Sequence, residues 1–468
     1  MQSDIGVIGL AVMGQNLVLN MNDHGYVVSV FNRSGNKTEA FMVNEARDTS
    51  VRPFFALKDF ISSLKRPRRI LLMVKSGNPV DDFIEALLPF LEKGDIIIDG
   101  GNSHYRDSER RCESLKNKGI LFVGAGISGG EEGARFGPSI MPGGNIEAWS
   151  FIESVFKDIS AKVNGKPCCQ WIGPGGSGHY VKMVHNGIEY GDMQLISETY
   201  SIMKRIMGFS NPQIADIFDK WNSGKLNSYL IEITANILRF KDESGKFLLD
   251  CILDVASQKG TGSWTGIAAL ELGVPASLIS EAVFVRYLSS LKEQRLLADR
   301  EFSEIDTAYD TIQELEENDL EASLYAAKII SYAQGFMLMK QASDAFSWNL
   351  HYGDIALVWR SGCIIRSIFL DNIKESFDFD ENLPSLILAP FFKSALKTSV
   401  KSWRKMITVA MSLGIPIPCF SSSLSFFDGY CESSSSACMI QAMRDYFGAH
   451  TYERNDTPRG EFFHTKWT

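Results

Sequence analysis

The sequence predicts an α/β Rossmann-type dinucleotide-binding domain, followed by a large all-α domain and a C-terminal tail. Three observations carry that reading. Short aliphatic runs alternate with helix-like stretches through about the first 175 residues. Beyond them come long segments of helical period with few β-branched runs and few prolines. Near residue 430 the texture changes again, to a serine patch, one more helix and a polar end. Strand–helix alternation of the first kind builds a doubly wound parallel sheet. The predicted divisions are 1–176, 177–434 and 435–468.

Each element has a residue-level reason. The apolar runs at 5–10, 27–31, 70–74, 96–99 and 121–123 are continuous rather than alternating in polarity. That suits strands buried on both faces of a parallel sheet. Segments 181–207, 276–297 and 320–343 repeat apolar residues at helical spacing. Inside this region lies a short echo: Trp221-Asn-Ser-Gly224 with Ser228, and Trp359-Arg-Ser-Gly362 with Ser367. Setting Lys182-Met-Val against Lys328-Ile-Ile makes the two halves candidate copies, with Gly335 where the first has Glu189. The chemistry would then belong to the first copy alone. After serines 433–436, residues 441–450 read as a last helix. The end of the chain carries Phe462, Phe463 and Trp467, which need a burial place such as another subunit.

Composition narrows the function. The chain has 468 residues, 47 basic and 56 acidic, for a net charge of −9. A general nucleic-acid or anionic-membrane surface is therefore not expected. With 45% hydrophobic and 22% charged residues, a real core is expected rather than global disorder. No apolar run reaches membrane-span length, and residues 1–4 lead straight into a strand, so no targeting segment is expected. The eight cysteines lack CxxC spacing, and no HxxH or HExxH occurs. The expectation is a reduced, cytoplasmic protein without a metal site.

Residues Gly9, Leu10, Ala11, Val12, Met13 and Gly14 form a G-x-A-x-x-G turn between the first strand and a helix. Gly9 permits the tight turn, Ala11 is small enough for a pyrophosphate to approach, and Gly14 allows close helix–strand packing. At the end of the second strand an NAD site usually has a carboxylate for the ribose 2′-hydroxyl. Here stand Asn32, Arg33 and Ser34, with Lys37 one turn on. These donors suit a 2′-phosphate, so NADP is the predicted cofactor. Val74, Lys75 and Ser76, then Asn102, then Ser128, Gly129 and Gly130 follow further strands on the same rim, where open α/β sheets bind ligands.

Residues 173–190 carry the sharpest signal. Lys182, His185, Asn186, Glu189 and Tyr190 fall at i, i+3, i+4, i+7 and i+8, one helical face about 10 Å long. Met183, Val184, Gly187 and Ile188 between them are apolar or small. An exposed face would carry lysine and glutamate in bulk, so the stripe reads as a site. A lysine, ordinarily near pKa ~10.4, becomes a usable base when burial or nearby cations depress that value. Glu189 can act as a separate acid. Lys259 and Thr261 lie in a basic glycine-rich turn, and Arg286 and Arg444 are further cations that together can bracket a phosphate.

With these motifs placed, the chain resembles the NADP-linked, decarboxylating 6-phosphogluconate dehydrogenase family. The resemblance is carried by the Gly9–Gly14 turn, Asn32-Arg33-Ser34, residues 173–190, Ile252-Leu-Asp-Val-Ala, Lys259-Gly-Thr-Gly, Cys363-Ile-Ile-Arg366 and residues 444–454. It implies oxidative decarboxylation of 6-phosphogluconate, with Lys182 as base and Glu189 as acid. It further implies that Asn102, Ser128, Gly129, Gly130, His185 and Asn186 hold the sugar acid. Tyr190, Lys259, Thr261, Arg286 and Arg444 would hold its phosphate. A homodimer is implied, with tail exchange placing Arg444 and His450 in the partner's site. Ser76, Ser263, Cys431 and the serine patch depart from the family pattern. Two other readings stand beside this one: a β-hydroxyacid dehydrogenase for a smaller acid, and an inactive NADP-binding sensor or scaffold.

Overall fold

The five aliphatic runs assemble because each is apolar on both sides and has helices to cover it. The computed structural model describes residues 2–257, 260–302 and 314–467. The strands are β1 (Ile5–Ile8), β2 (Val28–Phe31), β3 (Arg52–Phe54), β4 (Arg69–Leu72), β5 (Ile96–Asp99), β6 (Leu121–Ser128) and β7 (Ser139–Gly144). Together with a short strand, Gly173–Pro174, they run in the order Gly173–Pro174, β7, β6, β5, β4, β1, β2, β3. β1 to β6 pair in parallel, with Val7 opposite Val30 on one side and Leu71 on the other. β7 runs antiparallel to β6, an addition to the parallel sheet expected. Strand order reverses at β1, where β2 leads to one side and β4 to the other, and the Gly9–Gly14 turn sits at that point.

Alternate residues feed separate cores on the two faces. Ile96 and Ile98 join Val7, Leu17, Val30 and Val123 on one side. Ile97 joins Ile8, Phe60, Leu72, Val80 and Phe122 on the other. Such double coverage is why these strands read as continuous apolar runs.

Two long helices, Ser177–Arg205 and Glu317–Phe346, form the centre of the helical part and pack against each other, with Pro390–Ser412 against the second. The first begins four residues before the predicted segment 181–207 and ends two before its end, and the second extends 320–343 at both ends. The predicted helix over 276–297 is instead two, Ser277–Ser290 and Lys292–Glu301, parted at Leu291. Ser289 and Ser290 turn their hydroxyls onto the carbonyls of Arg286 and Tyr287 just before the break. Such back-bonding competes with the helical ladder. The two segments of the sequence echo pair with each other. Ser228 bridges Ser367 antiparallel, Tyr229 N–H donates to Arg366 C=O (3.2 Å) and Ile368 N–H to Asn227 C=O (3.0 Å). Trp221 and Trp359 are both fully buried.

The chain forms two compact units, Met1–Ser423 and Leu424–Thr468. In the second, the helix Ala437–Gly448 and the tail are tied by the fully buried Asp445. It accepts hydrogen bonds from Thr451 N–H (3.0 Å), Thr465 N–H (3.0 Å) and Trp467 Nε1 (2.8 Å), and pairs with His464. Burial alone would raise its carboxyl, but these partners hold it below the usual carboxylate range. Met439, Ile440, Met443, Tyr446 and Phe447 on this helix remain exposed.

Candidate active site

Helix Ser177–Arg205 reaches the sheet because glycines remove side chains from the contact. A Cβ at Gly126 of β6 would collide with the Lys182 side chain, and one at Gly178 with the carbonyls of Gly124 and Met141. His179 fastens the helix start through its Nδ1 to Ser108 Oγ at 2.6 Å. Farther along, Thr265 of the helix Thr261–Leu272 donates to Met183 C=O at 2.8 Å, fixing a second wall.

The predicted stripe forms as one buried polar set. Lys182 Nζ donates to Asn186 Oδ1 (2.6 Å) and Ser128 Oγ (3.3 Å), and lies 3.4 Å from His185 Nδ1. His185 Nε2 stands 3.3 Å from Ser128 Oγ. Glu189 Oε2 is 3.8 Å from His185 Nδ1, with its side chain 20% exposed. Burial pushes the Lys182 amine below its ordinary value, against the pull of Glu189. Burial raises the Glu189 carboxyl, although Lys182 and Arg286 favour its ionised form. Burial, then the Lys182 charge, hold His185 well below an ordinary histidine, so it stays neutral.

A cavity of about 530 Å³ gathers most of the predicted catalytic and substrate-binding residues. Lys182, Asn186, Glu189 and Tyr190 line one wall, Asn102, Ser128, Gly129 and Gly130 a second, and Val12 and Met13 open it toward the β1 turn. Thr261 and Arg286 complete the lining, the guanidinium lying 3.6 Å over the Tyr190 ring and donating to Ser257 C=O at 3.1 Å. Lys259 lies outside the described residues. Arg444 and His450 belong to the second unit, Arg444 on the helix Ala437–Gly448 and His450 just past its end. Another cavity, about 620 Å³ around Lys340, Asp344, His351 and Lys374, contains none of the predicted residues.

The Gly9–Gly14 turn fits a dinucleotide. Gly9 adopts φ +104°, and any side chain there would strike the Met73 carbonyl. Among the described residues no side chain caps the following helix, Val12–Asp23, leaving its first turn open to an anion. Asn32 accepts from Leu10 N–H (3.1 Å) and donates to Ser34 C=O (3.1 Å), bracing the turn against the end of β2. Arg33, Ser34, Lys37 and Lys75 are exposed on this rim, with Val74 and Ser76 partly buried beside them. Among the described residues, no His, Cys, Asp or Glu cluster could hold a metal, and no helix is long and apolar enough to cross a membrane.

Several contributors escaped the sequence reading. Asp99 Oδ2 accepts from Ser103 Oγ (2.6 Å) and from the buried Arg111 (3.1 Å), which also grips Asp81; this network tethers the loop bearing Asn102. Met193, Glu131, Ser257 and Ile364 also line the cavity. Met193 could have been found by extending the stripe one turn past Glu189. Ile364 and Ser257 arrive through tertiary contact and leave no local signal. Ser263, unusual beside its glycine-rich turn, closes that turn by donating to Gly260 C=O at 2.7 Å.

Comparison with known proteins agrees with this geometry. Residues 4–173 match the family described as "NAD binding domain of 6-phosphogluconate dehydrogenase", and 178–467 match "6-phosphogluconate dehydrogenase, C-terminal domain". The chain is 58% identical to the human decarboxylating 6-phosphogluconate dehydrogenase, covering all of this chain and 97% of that protein. It is 54% identical to enzyme 1 of Saccharomyces cerevisiae, with the same coverage. The 6-phosphogluconate dehydrogenase of Plasmodium falciparum, solved in its apo form and in complex with NADP+ and with 6-phosphogluconate, superposes with TM-score 0.96. That match has 46% identity and covers 99% of this chain and all of that one. The chain belongs to the 6-phosphogluconate dehydrogenase family.

Proposed function

We propose that this chain converts 6-phosphogluconate to ribulose 5-phosphate and CO₂ while reducing NADP+. The observation that carries this is one cavity holding a buried lysine with lowered basicity and a carboxyl with raised pKa on a single helix face. A smaller hydroxy acid would need neither Arg286 nor the helical second half, and an inactive sensor would not need both proton-transfer groups.

The residues around the Gly9–Gly14 turn hold the adenine dinucleotide, with Arg33, Ser34 and Lys37 toward its 2′-phosphate. When bound, NADP+ supplies the acceptor for the C3 hydride. Neutral Lys182 takes the C3 hydroxyl proton as that carbon is oxidised. The new ketone stands β to the carboxylate, so the C1–C2 bond breaks and its electrons pass toward the carbonyl, releasing CO₂. Protonated Lys182 donates to the developing enediol oxygen, and Glu189 then protonates the carbon that becomes C1 of ribulose 5-phosphate. Asn102, Ser128, Gly129, Gly130, His185 and Asn186 orient the sugar acid. Tyr190, Thr261 and Arg286 face its phosphate end, and Lys259 is assigned to bind the same phosphate.

The same proposal divides the chain at 1–176, 177–434 and 435–468, makes it a cytoplasmic homodimer, and sends Arg444 and His450 to the partner's site. The exposed apolar and aromatic residues of helix Ala437–Gly448 support that exchange. The test is stoichiometric. Purified protein given 6-phosphogluconate should form NADPH and CO₂ in equal amounts and prefer NADP+ to NAD+. Hydride transfer without CO₂ would refute the reading.

A further inference from the structure

The catalytic helix carries another buried acid that the reaction does not use. Three residues past Glu189, Asp192 is 1% exposed and forms an ion pair with the fully buried Lys328 of helix Glu317–Phe346. Asp192 Oδ1 has no hydrogen-bond partner among the described residues, nor has Ser331 Oγ next to Gly191. A buried ion pair seldom gains stability over apolar residues of similar volume. What distinguishes this pair is its place, one turn behind the proton donor.

Glu189 is faced by charged and titratable groups from several elements. Its own helix supplies Lys182, His185 and Asp192, helix Ser277–Ser290 supplies Arg286, and Cys363 approaches from the segment after Trp359. Behind Asp192 lies Lys328, which favours the Asp192 carboxylate against the burial that raises its pKa. Lys182 and Arg286 favour a Glu189 carboxylate; besides burial, Asp192 favours the acid. His185, kept neutral, adds no charge.

We propose that Asp192, in its buried ion pair with Lys328, is a positioning residue for proton delivery: the pair fixes the turn bearing Glu189 and sets a carboxyl group one turn behind that proton donor. This rests on the reading of Glu189 as the proton donor. Two charge-free pairs test it, D192N/K328M and, should that pair fold poorly, the apolar D192L/K328L. Activity should fall at high pH where Glu189 loses its proton. In either charge-free pair that alkaline limb of kcat should move to lower pH, with KM for 6-phosphogluconate little changed. In E189Q the limb should be absent, and adding the same two substitutions should move nothing further. A limb that stays in place in the folded charge-free pair, with only thermal stability altered, overturns the proposal. A limb that persists in E189Q overturns the assignment of Glu189 instead, so the two failures are distinguishable.

Discussion

Helices Ser177–Arg205 and Glu317–Phe346 are close in length, lie against each other and each carry a buried lysine, Lys182 and Lys328. Lys182 is 7% exposed, opens on the cavity and touches only neutral partners, Asn186, Ser128 and His185. Lys328 is fully buried against the carboxylate of Asp192. Seven residues on, the first helix has Glu189 and the second Gly335. A Cβ at Gly335 would come within 2.6 Å of Ile188 Cδ1, so the second helix has a close approach where the first has an acid. A buried lysine among neutral groups is biased toward the free base, whereas Lys328, paired with a buried carboxyl of the neighbouring helix, serves as an anchor.

Substitutions can break this contrast. The largest effect is expected from Lys182→Met, a loss of about 10³-fold or more in kcat, with both ligands still bound; steady-state NADPH formation and ligand titration check it. Lys328→Met should act on stability, leaving Asp192 buried without its counter-ion at a cost of about 3 kcal/mol or more, read from urea unfolding. If Lys328→Met instead left stability intact, the anchor role would fail. Gly335→Ala should cost less, about 1–3 kcal/mol through overpacking against Ile188, seen as a lower thermal midpoint.

Much of this contrast was legible in the sequence, for identifiable reasons. The β1, β2, β4, β5 and β6 runs are apolar on both faces because both faces are covered. The polar stripe stood out because its neighbours are small or apolar. β7 went unread because Ser-Ile-Met-Pro-Gly-Gly holds one proline and two glycines in six residues and pairs antiparallel only through tertiary contact. β3, three residues around Pro53 at the sheet edge, gives no periodic signal. Asp192 was passed over because a lone acid on a helix reads as solvated, and only its distant partner Lys328 reveals its burial.

The central claim is that Lys182 works as a neutral base, and the pH dependence of the first turnover tests it most directly. Mixing enzyme and NADP+ with 6-phosphogluconate should give a burst of NADPH. Its rate should rise with pH through a midpoint below the ~10.4 of an ordinary lysine, and Lys182→Met should abolish the burst. A burst surviving in Lys182→Met with the same midpoint would contradict the account.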